Sequence, residues 1–282
     1  IVYANFEFKN TPKTAGDAYK IGYYIDEWGC RFENKQDGII GEVKEPLIKE
    51  WADIEKIHVP QECLSVDIDT VNIFCNHTDK FVFACCCPRP FERLQFLRGT
   101  ENLMMDIAIQ DSGFKYLLNL IHTFYLEEMH LWARTNVDSL LFMDDWGSQR
   151  SLLISPILWR QVFKPLYKEY IDIAHDAGKK IFMHSDGYIL DIIPDLIALG
   201  LDAINCQISC MGVEEVGSRF KGRITFWGEL DRQHLLPHGS RQEVIDAVFK
   251  IQNNLYDNGG VVAELEFGPG AKPDNIMTAY ET

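Results

Sequence analysis

The sequence predicts an α/β protein of the (β/α)8 TIM-barrel type. Apolar runs of strand length alternate with amphipathic helical segments along the 282 residues, the signature of a parallel sheet covered by helices. The runs also end in short polar clusters, where such sheets present their ligand-binding groups. Lys179 to Gln207 shows the unit in full. Lys179 to Met183 reads as a buried strand and breaks at His184-Ser185-Asp186-Gly187. Ile189, Ile192, Ile193, Leu196 and Ile197 then recur at helical spacing up to Gly200, and Leu201 to Cys206 begins the next strand.

The other elements follow the same logic. Ile1 to Phe8 alternates as a strand does, and residues 20–45 read as a β-hairpin insertion, Tyr23 to Phe32 and Ile39 to Val43 around the turn-rich Asn34 to Gly38. Short helices are predicted over Ile48 to Ile57 and residues 67–79. Lys80 to Cys87 is a strand stopped by Pro88 and Pro90, followed by helices at Phe91 to Leu97, Glu101 to Ile107 and Ser112 to Thr135. Val137 to Met143 is a strand ending in Asp144-Asp145-Trp146-Gly147. Ser155-Pro156 opens a helix running to Gly178. Beyond the focal unit come a helix at Glu214 to Phe220, a strand at Arg223 to Trp227 and a helix at Ser240 to Asn258. Gly260 to Phe267 is the last strand, and Pro273 to Tyr280 the last helix. Six strand–helix pairs follow residue 80, and residues 1–8 add a seventh strand, so the eighth is expected in a segment before Ile1. The chain thus reads as one barrel domain over residues 1–282, incomplete at its amino terminus.

Composition narrows the partners. A net charge of -15 disfavours nucleic acid and anionic membrane surfaces, and no apolar run approaches the roughly 20 residues that span a bilayer. Eight cysteines without regular spacing do not form a secreted disulfide framework, which predicts a reducing, cytoplasmic setting. Alternation sends Cys85 and Cys87 one way and Cys86 the other, so the trio suits buried packing better than shared ligation.

The strand ends supply the candidate site. His184 and Asp186 fall on one face of their strand, as do Glu264 and Glu266. Of the adjacent Asp144 and Asp145, one faces the mouth and the other caps a loop, and Asp145 with Trp146 is assigned to the mouth. Glu229 either orients a ligand or pairs with Arg232. Asp145, Glu229 and Glu264 are the catalytic candidates, and Trp146, Arg89, Gln207 and Trp28 of the insertion the substrate-binding ones. Arg89 and Arg93 suit a substrate carboxylate or a loop salt bridge with Glu92 or Asp106. His184 alone suits either a backbone hydrogen bond or a ligand role.

Asp144 to Gly147, Ser155-Pro156, His184 to Gly187, Gly228-Glu229-Leu230-Asp231 and Glu266-Phe267-Gly268-Pro269-Gly270 with Pro273-Asp274-Asn275-Ile276 occur in that order. In this the chain resembles the uroporphyrinogen decarboxylase superfamily, and within it the corrinoid-dependent methyltransferase branch more than the decarboxylases. The latter carry a histidine after the last strand, where this chain has Gly268-Pro269-Gly270. The resemblance implies methyl transfer from a small methylated substrate to a corrinoid carried by a partner protein. It also implies a zinc site at the fifth strand end. His184 matches the family's histidine ligand, while Asp186 and Glu266 stand at or near its cysteines, so the ligand set implied is His184, Asp186 and Glu266. The alternatives are decarboxylation of a porphyrinogen and a non-catalytic binding barrel.

Overall fold

The computed structural model describes every residue except Pro269, so that position of the Glu266–Gly270 motif lies outside the described residues. The chain forms two compact units, residues 1–144 with 157–181 and residues 145–156 with 182–282.

In the first unit, β1 (Val2–Tyr3), β5 (Val82–Phe83) and β6 (Ser139–Met143) pair in parallel, while β2 (Gly22–Ile25), β3 (Arg31–Asn34) and β4 (Glu42–Val43) form a separate antiparallel sheet. The ladders are shorter than the apolar runs. The run Lys80 to Cys87 keeps only Val82–Phe83 as strand, and its thiols turn to backbone acceptors instead, Cys85 to Ala4 O at 3.2 Å and Cys86 to Leu141 O at 3.5 Å. Burial pushes the Cys85 thiol up to about 11 and raises the Cys86 thiol well above its ordinary value, which disfavours the thiolate at both.

The insertion is a three-stranded meander rather than a single hairpin. Tyr23 to Phe32 does not run straight through, because Asp26 Oδ1 accepts the Trp28 and Cys30 N–H groups at 3.1 and 2.7 Å and folds the chain into a turn. That turn sends Trp28 inward, where it is 1% exposed and meets Phe124 edge-on at 5.1 Å. Trp28, expected to face a ligand, is core instead. Arg93 is buried beneath the turn, with Nη1 2.5 Å from Asp26 Oδ2 and Nη2 3.1 Å from Glu27 Oε1. The expected loop salt bridge of Arg93 with Glu92 or Asp106 is therefore replaced by this pair, and Asp106 binds Arg98 at 2.7 Å. Arg89 Nη2 donates to Cys87 Sγ at 3.4 Å.

Helices cover the strands. Ser112–Ala133 forms as expected, capped by Asp111 accepting from Phe114 N. The predicted helix from Ser155 to Gly178 is two, Pro156–Val162 and Lys164–Asp176. Pro165 has no N–H and its ring excludes the preceding turn's carbonyl, so a helix restarts there instead of passing through.

Asp144 is the buried polar anchor of this unit. It is fully buried and accepts from Phe91 N at 3.1 Å, Glu92 N at 2.9 Å and the Tyr167 hydroxyl at 2.6 Å. Phe91 and Glu92 lie in the first turn of helix Pro90–Arg98, whose N–H groups lack helical acceptors. A carboxylate at the positive end of that helix meets both needs.

In the second unit, β7 (Lys180–Ser185) pairs through Phe182–Ser185 with β8 (Ala203–Cys206), β8 with β9 (Thr225–Trp227), and β9 with β10 (Val261–Val262), all parallel. Helices Ile193–Leu199, Val213–Phe220, Arg241–Leu255 and Pro273–Glu281 alternate with them. β10 is much shorter than the predicted Gly260 to Phe267, so Glu264 and Glu266 lie past its ladder. Among the described residues, no helix is long and apolar enough to cross a membrane.

Replacing Asp144 by Ala strands three donors in the core and should lower unfolding stability by about 3 kcal/mol or more, whereas Tyr167→Phe removes one hydrogen bond and should cost about 1 kcal/mol. Urea denaturation of the two variants checks this; indistinguishable midpoints would show that Asp144 anchors nothing.

Candidate functional site

The carboxyl ends of β7, β8 and β9 bring the second unit's polar residues together. Two turns make this possible. Gly147, closing Asp145-Trp146-Gly147, and Gly187, closing Ser185-Asp186-Gly187, lie back to back: a Cβ on Gly187 would sit 2.1 Å from Gly147 O, and one on Gly147 would sit 2.2 Å from Tyr188 N. Gly147 N donates to Asp186 O at 3.0 Å and Tyr188 N to Ser148 O at 2.8 Å. Gly187 also has φ +77°, which disfavours any L side chain. This contact lets Asp186 N donate to Asp145 Oδ1 at 2.8 Å and Trp146 N to Ser185 Oγ at 3.1 Å. Trp146 is thereby wholly buried and presents no face to solvent.

His184 is oriented from behind. Asn205, directly across the ladder, places Oδ1 against His184 Nδ1 and donates Nδ2 to Trp227 O at 2.6 Å. The Trp227 carbonyl accepts only a donor, which fixes the amide's orientation. His184 Nδ1 must then carry the proton, and in the neutral ring Nε2 keeps its lone pair. Nε2 lies 3.6 Å from Asp145 Oδ1 and 3.7 Å from Asp186 Oδ1. These are too long for hydrogen bonds.

Arg232 organises the remaining acids. It is bonded to Asp186 Oδ2 and ion-paired to Glu266 Oε2, and its Nη1 is 3.6 Å from Glu229 Oε1. Glu229 thus pairs with Arg232, and its Oε1, like Asp186 Oδ1, is buried without a hydrogen bond among the described residues. Burial, the largest effect, with Glu266 and Asp186 nearby, pushes Glu229 up to about 8 against the pull of Arg232. Burial, and then Glu266, also raises Glu264, whose Oε2 is 3.5 Å from Asn205 Nδ2.

Among the described residues, the potential cation ligands fall into two groups, Asp145 with His184 and Asp186, and Asp186 with Glu229 and Glu266. The expected set of His184, Asp186 and Glu266 is therefore divided: Asp145 joins His184, and Glu266 stands with Glu229. Arg232 already supplies a positive charge to the second group. The first has a fixed imidazole lone pair and a buried carboxylate oxygen without a hydrogen bond. Tetrahedral zinc with bonds of about 2.0–2.2 Å separates its ligand atoms by roughly 3.3–3.6 Å, close to the spacings around Nε2. The first group fits a divalent cation.

Gln207 is 8% exposed, and its Oε1 accepts Gly187 N at 3.1 Å. With Glu229 and Arg232 it lines an open cavity of about 520 Å³ that continues to Arg150 and His234. Asn205 and Ser185 escaped sequence reasoning. The available signal for Asn205 was a polar residue inside an apolar strand, which must be satisfied when buried; nothing local singles out Ser185.

The fold is shared with a methyltransferase. That protein, from Methanosarcina mazei, superposes with a TM-score of 0.67 at 13% identity, over 90% of this chain and 74% of its own. Looser matches are a dihydropteroate synthase from Xanthomonas albilineans (TM-score 0.36, 12% identity, 59% of this chain and 60% of that one) and a family 10 endo-β-1,4-xylanase from Gloeophyllum trabeum (0.41, 12%, 71% and 67%). No family model and no curated protein matches the sequence.

Two outcomes are expected. Gly187→Ala must separate the two turns and should unfold the chain at clearly lower denaturant than wild type; an unshifted midpoint would mean the contact is dispensable. For Glu229, a folded-state pKa raised to about 8 means the native state holds a proton that the unfolded state releases near its ordinary value of 4.5. Its contribution to stability is complete below about 4.5 and is lost as pH rises through about 8. In chelator-treated protein, Glu229→Gln should flatten the decline in stability between these values, and parallel wild-type and variant curves would contradict the shift.

Proposed function

We propose that residues 1–282 form a catalytic domain of the uroporphyrinogen decarboxylase-like barrel class. Its reaction is transfer of a methyl group from a small methylated substrate to a corrinoid carried by a partner protein. The observation that carries this reading is the His184 arrangement: Nδ1 held by Asn205, Nε2 facing Asp145 and Asp186 at 3.6 and 3.7 Å. The motif resemblance and the methyltransferase fold support it.

His184, Asp186 and Asp145 would hold zinc, with Glu266 reaching the same Asp186 from the other side. Bound there, zinc would supply Lewis acidity toward a methylated heteroatom. The chain's own residues do the rest. Asn205 keeps the imidazole in its ligating tautomer, and Arg232 holds Asp186 so that Oδ1 stays turned to His184. The methyl carbon leaves its heteroatom without the bonding electron pair, which the heteroatom retains, and the acceptor supplies the pair for the new bond. Glu229, raised to about 8, carries a proton at neutral pH and gives it to the departing heteroatom. Glu264 supports Asn205, while Gln207 is assigned to substrate.

The test is elemental analysis of zinc-loaded protein together with methyl transfer to reduced cobalamin, a stand-in for the corrinoid partner. His184→Ala should lose both zinc and transfer, and Asn205→Ala should weaken zinc binding by about 10–100-fold. Full zinc content and full transfer in His184→Ala would place the site elsewhere. Wild-type protein that takes up no zinc but is inactivated by His184→Ala would replace the metal mechanism with acid–base chemistry.

A further inference from the structure

The cavity beside the cluster has a polarity that restricts what it can hold. Its floor is Glu229, 4% exposed, and Gln207, 8% exposed. Gln207 Oε1 is taken by Gly187 N, which leaves its amide N–H groups as the donors, and Glu229 Oε1 is buried with no hydrogen bond among the described residues. The floor therefore offers hydrogen-bonding capacity that the protein does not use.

The rim differs in charge. Gln149 Nε2 donates to Gln233 Oε1 at 3.2 Å, which joins the loop after Gly147 to the loop after Asp231. Arg150 stands beside this clasp, exposed, and among the described residues it forms no ion pair. Arg232, the other guanidinium of the lining, is occupied by Asp186, Glu229 and Glu266. Asp231 Oδ1 is likewise occupied, by the N–H groups of Gln233 and His234 at 2.8 Å each. Among the described residues, Arg150 is thus the guanidinium of the lining without an ion pair, while one oxygen of Asp231 is held by backbone donors.

Among the described residues no Phe, Tyr or Trp lines this cavity, so it lacks the ring faces that select quaternary ammonium groups. At about 520 Å³ it is far larger than a one-carbon donor needs. The adjoining ligand group of one imidazole and two carboxylates is hard, which favours an oxygen-bound over a sulfur-bound methyl group.

We infer that this cavity is the methyl-donor pocket and takes the methyl ether of a short hydroxy acid. The ether oxygen lies at the amide N–H groups of Gln207 and the carboxylate at Arg150, whose planar fork matches its two oxygens. This rests on the methyl-transfer reading for the term "donor", but the binding claim can be tested without it.

The probes are 3-methoxypropanoate and its uncharged amide, 3-methoxypropanamide, titrated calorimetrically into full-length, chelator-treated protein with no corrinoid present. The acid should bind at least about ten-fold more tightly than the amide, the loss expected for one charge-assisted bidentate contact. Arg150→Ala should abolish that preference while leaving amide binding unchanged, and Arg150→Lys should restore part of it. Arg150 is exposed and outside the packed core, so its removal tests binding rather than folding. Equal binding of acid and amide, an unchanged preference in Arg150→Ala, or no binding of either probe would overturn the inference. Arg150-dependent binding without methyl transfer to reduced cobalamin would uphold the pocket and defeat the proposed reaction. Transfer from other donors with no acid preference would do the reverse.

Discussion

Close approach of two backbone turns is the constraint on which the site depends. Gly147 and Gly187 lie so near each other that a single added Cβ on either would meet backbone atoms at little more than 2 Å. Because they can meet, the chain after Gly147 hydrogen-bonds the chain around Asp186, and Asp145 receives the Asp186 N–H. Two carboxylates that would repel each other in open chain are held on one side of His184, Asp145 by the Asp186 N–H and Asp186 by Arg232. Close packing of backbone brings Asp145 and Asp186 together, and the Arg232 ion pairs draw in Glu229 and Glu266.

Once assembled, the charge is divided by Arg232. The guanidinium takes one oxygen of Asp186 and reaches Glu229 and Glu266, leaving the other Asp186 oxygen to the imidazole side. Asp186 belongs to both ligand groups, and Arg232 makes them unequal: one already holds a cation, the other is open to one. Burial raises the pKa of Glu229 beside them, the usual response of a desolvated acid among like charges. A group that could hold a cation and a buried acid raised by desolvation thus coexist within one cluster, with the cavity opening from the second.

The parallel strand–helix order, the strand ends at His184, Asp186 and Glu229, and the inert packing of Cys85 and Cys86 were legible in the sequence. They rest on local periodicity and on turn residues, which act over a few positions. Trp28 was misjudged because an aromatic on a polar insertion looks exposed until Asp26 and Arg93 draw the turn inward. The division of the expected ligands was likewise hidden. Whether Asp145 or Glu266 stands with His184 depends on Arg232, which lies 46 residues from Asp186 in the chain.

By itself, then, the sequence determined which residue types follow the strands ending at Met143, Ser185 and Trp227, since alternation and turn chemistry are local. Tertiary structure alone decided the tautomer of His184, through Asn205 across the ladder, and the partners of each carboxylate. It also decided that Asp144 is a fully buried helix anchor while its neighbour Asp145 faces the site. Those outcomes depend on which distant donors approach within about 3 Å, and no spacing along the chain records that distance.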